Sequence, residues 1–399
     1  MKTVFVHGNV IAGGKVLSNH AVWVEGKKII RVMPCEMINN VPDVKDAIVI
    51  DLKGDYLSAG LIDLHIHGGM NHDFMDGTRE AIEGIGTYHS CHGITSILAT
   101  TAAAEDEETI TFLDAYEAYA GAVKDVRYIG VHLEGPFLNP AQCGAINPRY
   151  IKEIAPASYE PLLRYDCVKR VSVASELDGG LAFGELLKNK GILASMAHTE
   201  ADYEHTIKAM KHGYKLVTHL YSCTIGVHRK NAYRYGGLIE AAFLLDDLTA
   251  EIIADGCHLP TCLLQLVYKC KGKDGIILTS DAMRGAGLQD GQITKAGSLT
   301  RGQDVIIEDG VAKMLDRQAF AGSVASGDRL IRNMHKEAGV PLPEAIWMMT
   351  VSPARLMGLQ DMIGDVREGL EADIIVFDKD INIKKVMVRG QLQGMEDIK

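Results

Sequence analysis

The sequence predicts a parallel (β/α)8 TIM barrel carrying a small β-sandwich built from both ends of the chain. Three patterns in the 399 residues predict it. Short apolar runs alternate with helix-patterned stretches through the middle of the chain, the rhythm of βα units around a parallel sheet. Histidines and acidic residues stand at the C-terminal ends of those runs, the face where active sites of such barrels sit. β-like runs with turn glycines between them occupy both ends of the chain.

From the N-terminus, Thr3–His7, Ala21–Glu25, Ile29–Met33 and Ile48–Leu52 read as strands, with Gly13-Gly14 and Gly26-Lys27 supplying turns. The stretch Leu61-Ile-Asp-Leu-His-Ile-His-Gly-Gly69 is then an apolar strand ending in two histidines and a glycine pair. Side chains two apart on a strand share a face, so His65 and His67 can converge on one metal ion while the glycines let the backbone turn away. Taken alone, His-x-His fits a surface strand as well. Seven further strands are expected at Ile94–Thr101, Tyr128–Leu133, Arg170–Ser175, Ile192–His198, Lys215–Leu220, Ala250–Ala254 and Ile276–Thr279. Helices are expected at Thr78–His92, Glu105–Val123, Ala201–His212 and Pro260–Lys271.

Gly285 to Gly322 breaks the rhythm. It is rich in glycine and turn residues and reads as a β-hairpin insertion, with Val305–Ile307 and Val311–Leu315 flanking Asp309-Gly310. Helical pattern returns at Asp328–Ala338 and Pro343–Met349, and strand pattern at Asp373–Asp378 and Lys385–Arg389. The expected division is residues 1–57 with 358–399 as the small β-domain and 58–357 as the barrel.

On these strands, polar residues collect at one end. Glu134 closes strand three in His132-Leu-Glu-Gly-Pro136, and His198 closes strand five in Met196-Ala-His-Thr199. His219 closes strand six in Thr218-His-Leu220, and Asp281 closes strand eight in Thr279-Ser-Asp281. One such histidine is best read as a hydrogen-bonded core residue. Imidazoles and carboxylates from five strands on one face make a divalent-metal site instead. Glu134 has two oxygens and can bridge two ions. A bound divalent ion brings the pKa of water from ~15.7 toward ~7. Asp281, the late carboxylate, can take the proton of that water and hand it to a leaving nitrogen. The reaction class is metal-assisted hydrolysis.

Composition narrows the field. A formal net charge of -11 argues against a general nucleic-acid binder, and apolar and charged contents of 47% and 23% are those of a soluble globular chain. No apolar run reaches transmembrane length, and Met1-Lys-Thr-Val-Phe-Val-His7 lacks a signal-peptide core. The eight cysteines (35, 91, 143, 167, 223, 257, 262, 270) are scattered without a Cys-x-x-Cys and read as reduced thiols of a cytoplasmic protein.

These residues resemble the amidohydrolase superfamily and, within it, the family of N-acetylglucosamine-6-phosphate deacetylases. The markers run along the chain: Gly60-Leu-Ile-Asp-Leu-His-Ile-His-Gly68, Gly93-Ile-Thr-Ser-Ile-Leu-Ala-Thr100, His132-Leu-Glu-Gly-Pro-Phe137, Ile253-Ala-Asp-Gly256 with His258, Thr279-Ser-Asp-Ala-Met283 and Ala321-Gly-Ser323. The resemblance implies Glu134, His198 and His219 as ligands of a main metal, with His65 and His67 completing a second site. It implies Asp281 as the catalytic acid and base, also touching metal, and one or two ions per chain: zinc or iron, with cobalt or manganese as further candidates. It places His258, Ser222, Cys223, Gly144, Ala145, Ala321 and Gly322 around an amino-sugar phosphate. It also implies a homodimer in which Arg229 reaches the neighbouring subunit's phosphate site.

Two departures bear on the substrate. After the metal histidine the family reads Asn-Ala-Met, whereas Tyr221 here precedes Ser222-Cys-Thr224; and Ile146 stands where the family has histidine or glutamine. A deacetylase of another amino sugar, such as N-acetylgalactosamine 6-phosphate or an unphosphorylated sugar, therefore stays open. So does another amidohydrolase acting on a C–N bond. Cyclic amidases of this kind bridge their metals with a lysine on strand four, and Val171-Ser-Val-Ala-Ser175 holds none. A non-catalytic relative would lose a ligand or the carboxylate, and every one is kept.

Overall fold

The computed structural model describes residues 2–40 and 46–394; the remaining parts of the expected β-domain, residues 1, 41–45 and 395–399, lie outside the described residues. Eight strands form one parallel sheet in chain order: β1 (Leu61–Ile66), β2 (Ile94–Thr101), β3 (Arg127–Glu134), β4 (Val168–Val173), β5 (Leu193–Met196), β6 (Tyr214–Val217), β7 (Thr249–Ile253) and β8 (Ile276–Thr279). All six residues of β1 and all eight of β2 are buried, as continuous apolar runs covered on both faces require. Helices Arg79–Cys91, Asp106–Tyr119, Tyr203–Lys211 and Thr261–Lys271 occupy the expected connections, and Gly180–Asn189 adds one between β4 and β5.

The strands match expectation closely, with one informative difference. β5, β6 and β8 each stop two residues before His198, His219 and Asp281. Those three residues have φ of 45°, 29° and 47°. A left-handed residue cannot continue a strand, so the ladder ends and the side chain is re-aimed.

β1 and β8 meet without a regular ladder. At the C-terminal end, Asp281 N donates to the His65 carbonyl at 2.9 Å and His67 N to the Ala282 carbonyl at 2.8 Å. At the other end, Ile62 N and Leu278 N donate to the carbonyls of Met349 and Met348, at 2.7 and 3.0 Å. A third tie crosses the seam between them, from Thr279 Oγ1 to Asp63 Oδ1 at 2.6 Å.

Both ends of the chain share a second, mixed sheet of eight strands. Tyr56–Ala59 pairs in parallel with Lys2–Ala12 on one side and antiparallel with Ile374–Phe377 on the other. Phe5, Val22, Leu57, Ile374 and Met387 pack in one cluster, so strands from the two ends bury their apolar faces together. Gly60 carries the chain from this sheet into β1; a Cβ there would lie 2.1 Å from Thr95 Oγ1, so only glycine fits the crossing.

The insertion is larger than a hairpin. It is an antiparallel sheet of four strands, Ile293–Ala296, Gln303–Glu308, Val311–Met314 and Phe320–Ser323, in which the expected hairpin is the central pair. Met283, Val305, Ile307, Ala312 and Ala321 form its buried face.

Candidate active site

Glu134, the last residue of β3, stands at the centre of four imidazoles. Its Oε2 is 3.1 Å from His67 Nε2 and 3.4 Å from His65 Nε2; its Oε1 is 3.0 Å from His219 Nε2 and 3.5 Å from His198 Nε2. The donor atoms fall into two groups that share this carboxylate, His65–His67–Glu134 and Glu134–His198–His219. Asp281 Oδ1 closes the arrangement, 3.2 Å from His67 Nε2 and 3.5 Å from His65 Nε2. The extended chain of β1 and the residue after it brings His65 and His67 to one side. Gly68 then turns the chain so tightly that a Cβ there would meet the His72 carbonyl oxygen at 2.2 Å.

Which ring nitrogen faces the centre follows from the partners behind. His65 Nδ1 lies 2.9 Å from Glu251 Oε1, and His198 Nδ1 lies 2.8 Å from the Gln142 carbonyl oxygen. Both oxygens only accept, so both Nδ1 atoms carry the hydrogen and each neutral ring aims its Nε2 lone pair at Glu134. A lone pair against a carboxylate is repulsive unless positive charge lies between them. The rings can supply it by taking a second proton. Burial pushes His65 down, but Glu134, Asp281 and Glu251 outweigh it and raise the ring to about 10. Burial likewise lowers His198, and hydrogen bonds with Cys223 and Glu134 bring it up to about 10. Imidazole nitrogens around a shared carboxylate are equally the donor set that holds divalent ions, with a carboxylate and a carbonyl fixing the rings of His65 and His198 from behind. The residues fit such a group.

His132 belongs to the surroundings. Its Nε2 is 2.7 Å from Ser172 Oγ, its ring stacks edge-on against His65, and burial holds it well below the usual imidazole range. His258 sits 2.8 Å from Asp255 Oδ2, whose other oxygen accepts the backbone N–H groups of Cys257 and His258.

His67, Glu134, His198, His219 and Asp281 open onto a cavity of about 310 Å³, with His65 fully buried behind them. Of the residues expected at the substrate, His258, Ser222, Cys223, Gly144, Ala145, Ala321 and Gly322 all line it, and so does Ile146. Arg229 does not: it lies on an exposed two-stranded hairpin, His228–Lys230 with Tyr233–Tyr235. Sequence reasoning missed several wall residues. Among the described residues lining the cavity, Arg301 is the one arginine and no lysine lines it. Gln303 and Ser298 come with it from the inserted sheet, and Glu108 lies 3.7 Å from Arg301. Asp73 follows the β1 turn; it is buried, with its Oδ2 unpartnered. The signal available in the sequence was the insertion, which read as a hairpin and not as a wall.

Residues 56–392 match the model of the Amidohydrolase family. The chain is 30% identical over 339 residues to the N-acetylglucosamine-6-phosphate deacetylase of Vibrio furnissii, covering 84% of this chain and 82% of that one. It is 28% identical over 348 residues to the N-acetylgalactosamine-6-phosphate deacetylase of Escherichia coli O157:H7, covering 86% and 89%. Among solved structures it superposes, with a TM-score of 0.87 and 26% identity, on a mutant N-acetyl-D-glucosamine-6-phosphate deacetylase from Mycobacterium smegmatis in complex with N-acetyl-D-glucosamine-6-phosphate, over 98% of this chain and 99% of that one.

Proposed function

We propose a deacetylase reaction from the premise that the chain belongs to the amidohydrolase family: it hydrolyses the N-acetyl group of N-acetylglucosamine 6-phosphate to glucosamine 6-phosphate and acetate in amino-sugar metabolism. The observation that carries this reading is Glu134, one oxygen toward His65 and His67, the other toward His198 and His219, with Asp281 beside them on the wall of a sugar-sized cavity. Acetate release from a panel of N-acetyl sugars, with and without a 6-phosphate, tests it together with metal analysis of the same preparation. Turnover of none of the panel by the fully metallated protein would sink it.

Glu134, His198 and His219 are proposed to hold the main divalent ion, zinc or iron before cobalt or manganese, and His65 and His67 a second one beside it. Such an ion would lower the pKa of water enough to make hydroxide, a nucleophile toward an amide, available at neutral pH. Asp281 takes the proton released on attack and gives it to the amide nitrogen, a poor leaving group until protonated. As a carboxylate it can accept that proton: burial pushes the carboxyl up, but the positive charge beside it, carried by His65 and His67 when no ion is bound, outweighs that and lowers it. His258, anchored by Asp255, orients the sugar or its phosphate from the cavity wall.

Arg229 is proposed to reach the phosphate site of a second subunit in a homodimer; its exposure and its place outside its own cavity support that reading. The partition into a small β-domain, residues 1–57 with 358–399, and a barrel, 58–357, is supported by the sheet the two ends share. A cytoplasmic setting is supported by eight free thiols, and among the described residues no helix is long and apolar enough to cross a membrane.

A second reading, N-acetylgalactosamine 6-phosphate or an unphosphorylated sugar as substrate, is favoured by Ser222 and Ile146 on the cavity wall and by the E. coli relative. The same panel separates the two.

A further inference from the structure

One buried ion pair takes no part in the proposed reaction. Arg170 lies in the middle of β4 and Glu251 in the middle of β7, and both side chains are fully buried inside the barrel. A buried pair is costly unless hydrogen bonds complete it, and here they do. Arg170 Nη1 donates to Glu251 Oε2 and, at 3.0 Å, to the Leu64 carbonyl; its Nη2 donates to Thr218 Oγ1 at 2.9 Å and its Nε to Ser195 Oγ at 3.2 Å. Leu64 and Thr218 immediately precede His65 and His219. Glu251 Oε1 accepts from His65 Nδ1 at 2.9 Å and from the His219 backbone N–H at 3.2 Å. One guanidinium thus ties β4 to β1, β5, β7 and the residue that follows β6, in the layer under Glu134. One carboxylate oxygen holds a residue from each of the two donor groups.

We propose that Arg170 and Glu251 are positioning residues for the metal site: the pair fixes the ring of His65 and its spacing from His219, and so sets how tightly the His65–His67–Glu134 group holds its ion. A purely structural pair would need only mutual neutralisation, and two apolar side chains would serve it as well. The aim of its hydrogen bonds at His65, His219 and the residues before them is what a stability role leaves unexplained.

The inference rests on the metal reading given above, and a zinc titration of the parent protein against a chromophoric chelator checks that reading first. Parent protein taking up no ion at the His65 side would sink the metal reading and the inference with it. Given two ions in the parent, Glu251→Gln is expected to weaken the second by ~10–100-fold, the usual loss when an outer partner of a metal-bound histidine is removed, with the first within a few-fold. Because Glu251→Gln leaves Arg170 buried without its counter-charge, the doubly apolar Arg170→Leu/Glu251→Leu protein is titrated beside it. That protein is expected to melt closer to the parent than Glu251→Gln does, yet keep the weakened second site. Parent-like zinc affinity at both sites in the double variant overturns the inference, as does failure of both variants to fold, which would assign the pair to the fold alone.

Discussion

The two histidine pairs meet the same carboxylate, but the chain beneath them is built differently. His65 is a regular strand residue, fully buried, and its ring is held by a side chain deep in the barrel. His198 and His219 lie beyond their strands at positive φ, and the His198 ring is held by the carbonyl of Gln142 on a surface loop. Backbone of that kind costs about 1–3 kcal/mol per residue and persists only where its surroundings over-determine it. The same loop continues into Gly144, Ala145 and Ile146 on the cavity wall. The His65 ring is therefore set by the barrel, whereas the His198 ring shares its support with the cavity wall. Changes in the wall should reach His198 before they reach His65.

The largest effect expected leaves both halves standing. Asp281→Asn keeps the size of the side chain but cannot take up a proton at neutral pH. Its kcat should fall by ~10²–10⁴ while most of the metal stays bound; turnover within a few-fold of the parent would remove Asp281 from the mechanism. Next come the ligands. In a fully metallated preparation His65→Ala should give up one ion and keep the other, while His219→Ala should release the ion that His65→Ala retains. Identical losses in metal content and chelator affinity would mean that the two pairs form one site.

Smaller effects sort the substrate contacts. A charge-assisted hydrogen bond to phosphate is worth about 1.5–3 kcal/mol, so loss of an arginine that reads the phosphate should raise KM by roughly tenfold or more. Arg229→Ala and Arg301→Ala should be compared on phosphorylated and unphosphorylated sugars. An effect at Arg229 confined to the phosphorylated sugar, and lost when the proposed dimer is dissociated, supports a contact across subunits. The same effect at Arg301 would move phosphate recognition to the inserted sheet, and equal losses on both sugars at either residue would exclude it as a phosphate reader.

The smallest effect is a control outside both pairs. Burial raises the Asp328 carboxyl, but the hydrogen bond from His92 and the charge of Arg332 outweigh it and hold the group at about 2. Its folded value lies below the unfolded ~3.9, so its stabilisation is complete above about pH 4 and is lost as pH falls toward 2. That amounts to about 2 kcal/mol. Denaturant melts of Asp328→Asn and parent should differ near neutrality and converge in acid. A stability gap that does not change between pH 6 and pH 2.5 would show that the charge of Asp328 contributes nothing.

Much of this was legible in the sequence because buried parallel strands leave a plain trace. β2 and β8 have the bounds their apolar runs predict, and the five residues crowding Glu134 are those its motifs suggest. Strand ends were misjudged where a left-handed residue, invisible in composition, stops the ladder at His198, His219 and Asp281. Arg170 and Glu251 stand inside apolar runs, where a charge in a strand buried on both faces must have a partner within the barrel, but the sequence does not say which one. Arg301 was beyond reach, since only the three-dimensional path of the insertion brings it to the cavity.

The sheet shared by the two ends sets an order on synthesis. Tyr56–Ala59 cannot acquire its antiparallel neighbour until Ile374–Phe377 has been made, 315 residues after Ala59. At ~5–20 residues per second, that strand waits roughly 15 to 60 seconds with an open edge while the barrel is translated beside it. An unpaired strand edge is a template for other chains. Nascent chains on crowded ribosomes are thus most prone to sticking together before residue 374 emerges, and chains ended short of that point should be the ones that chaperones retain.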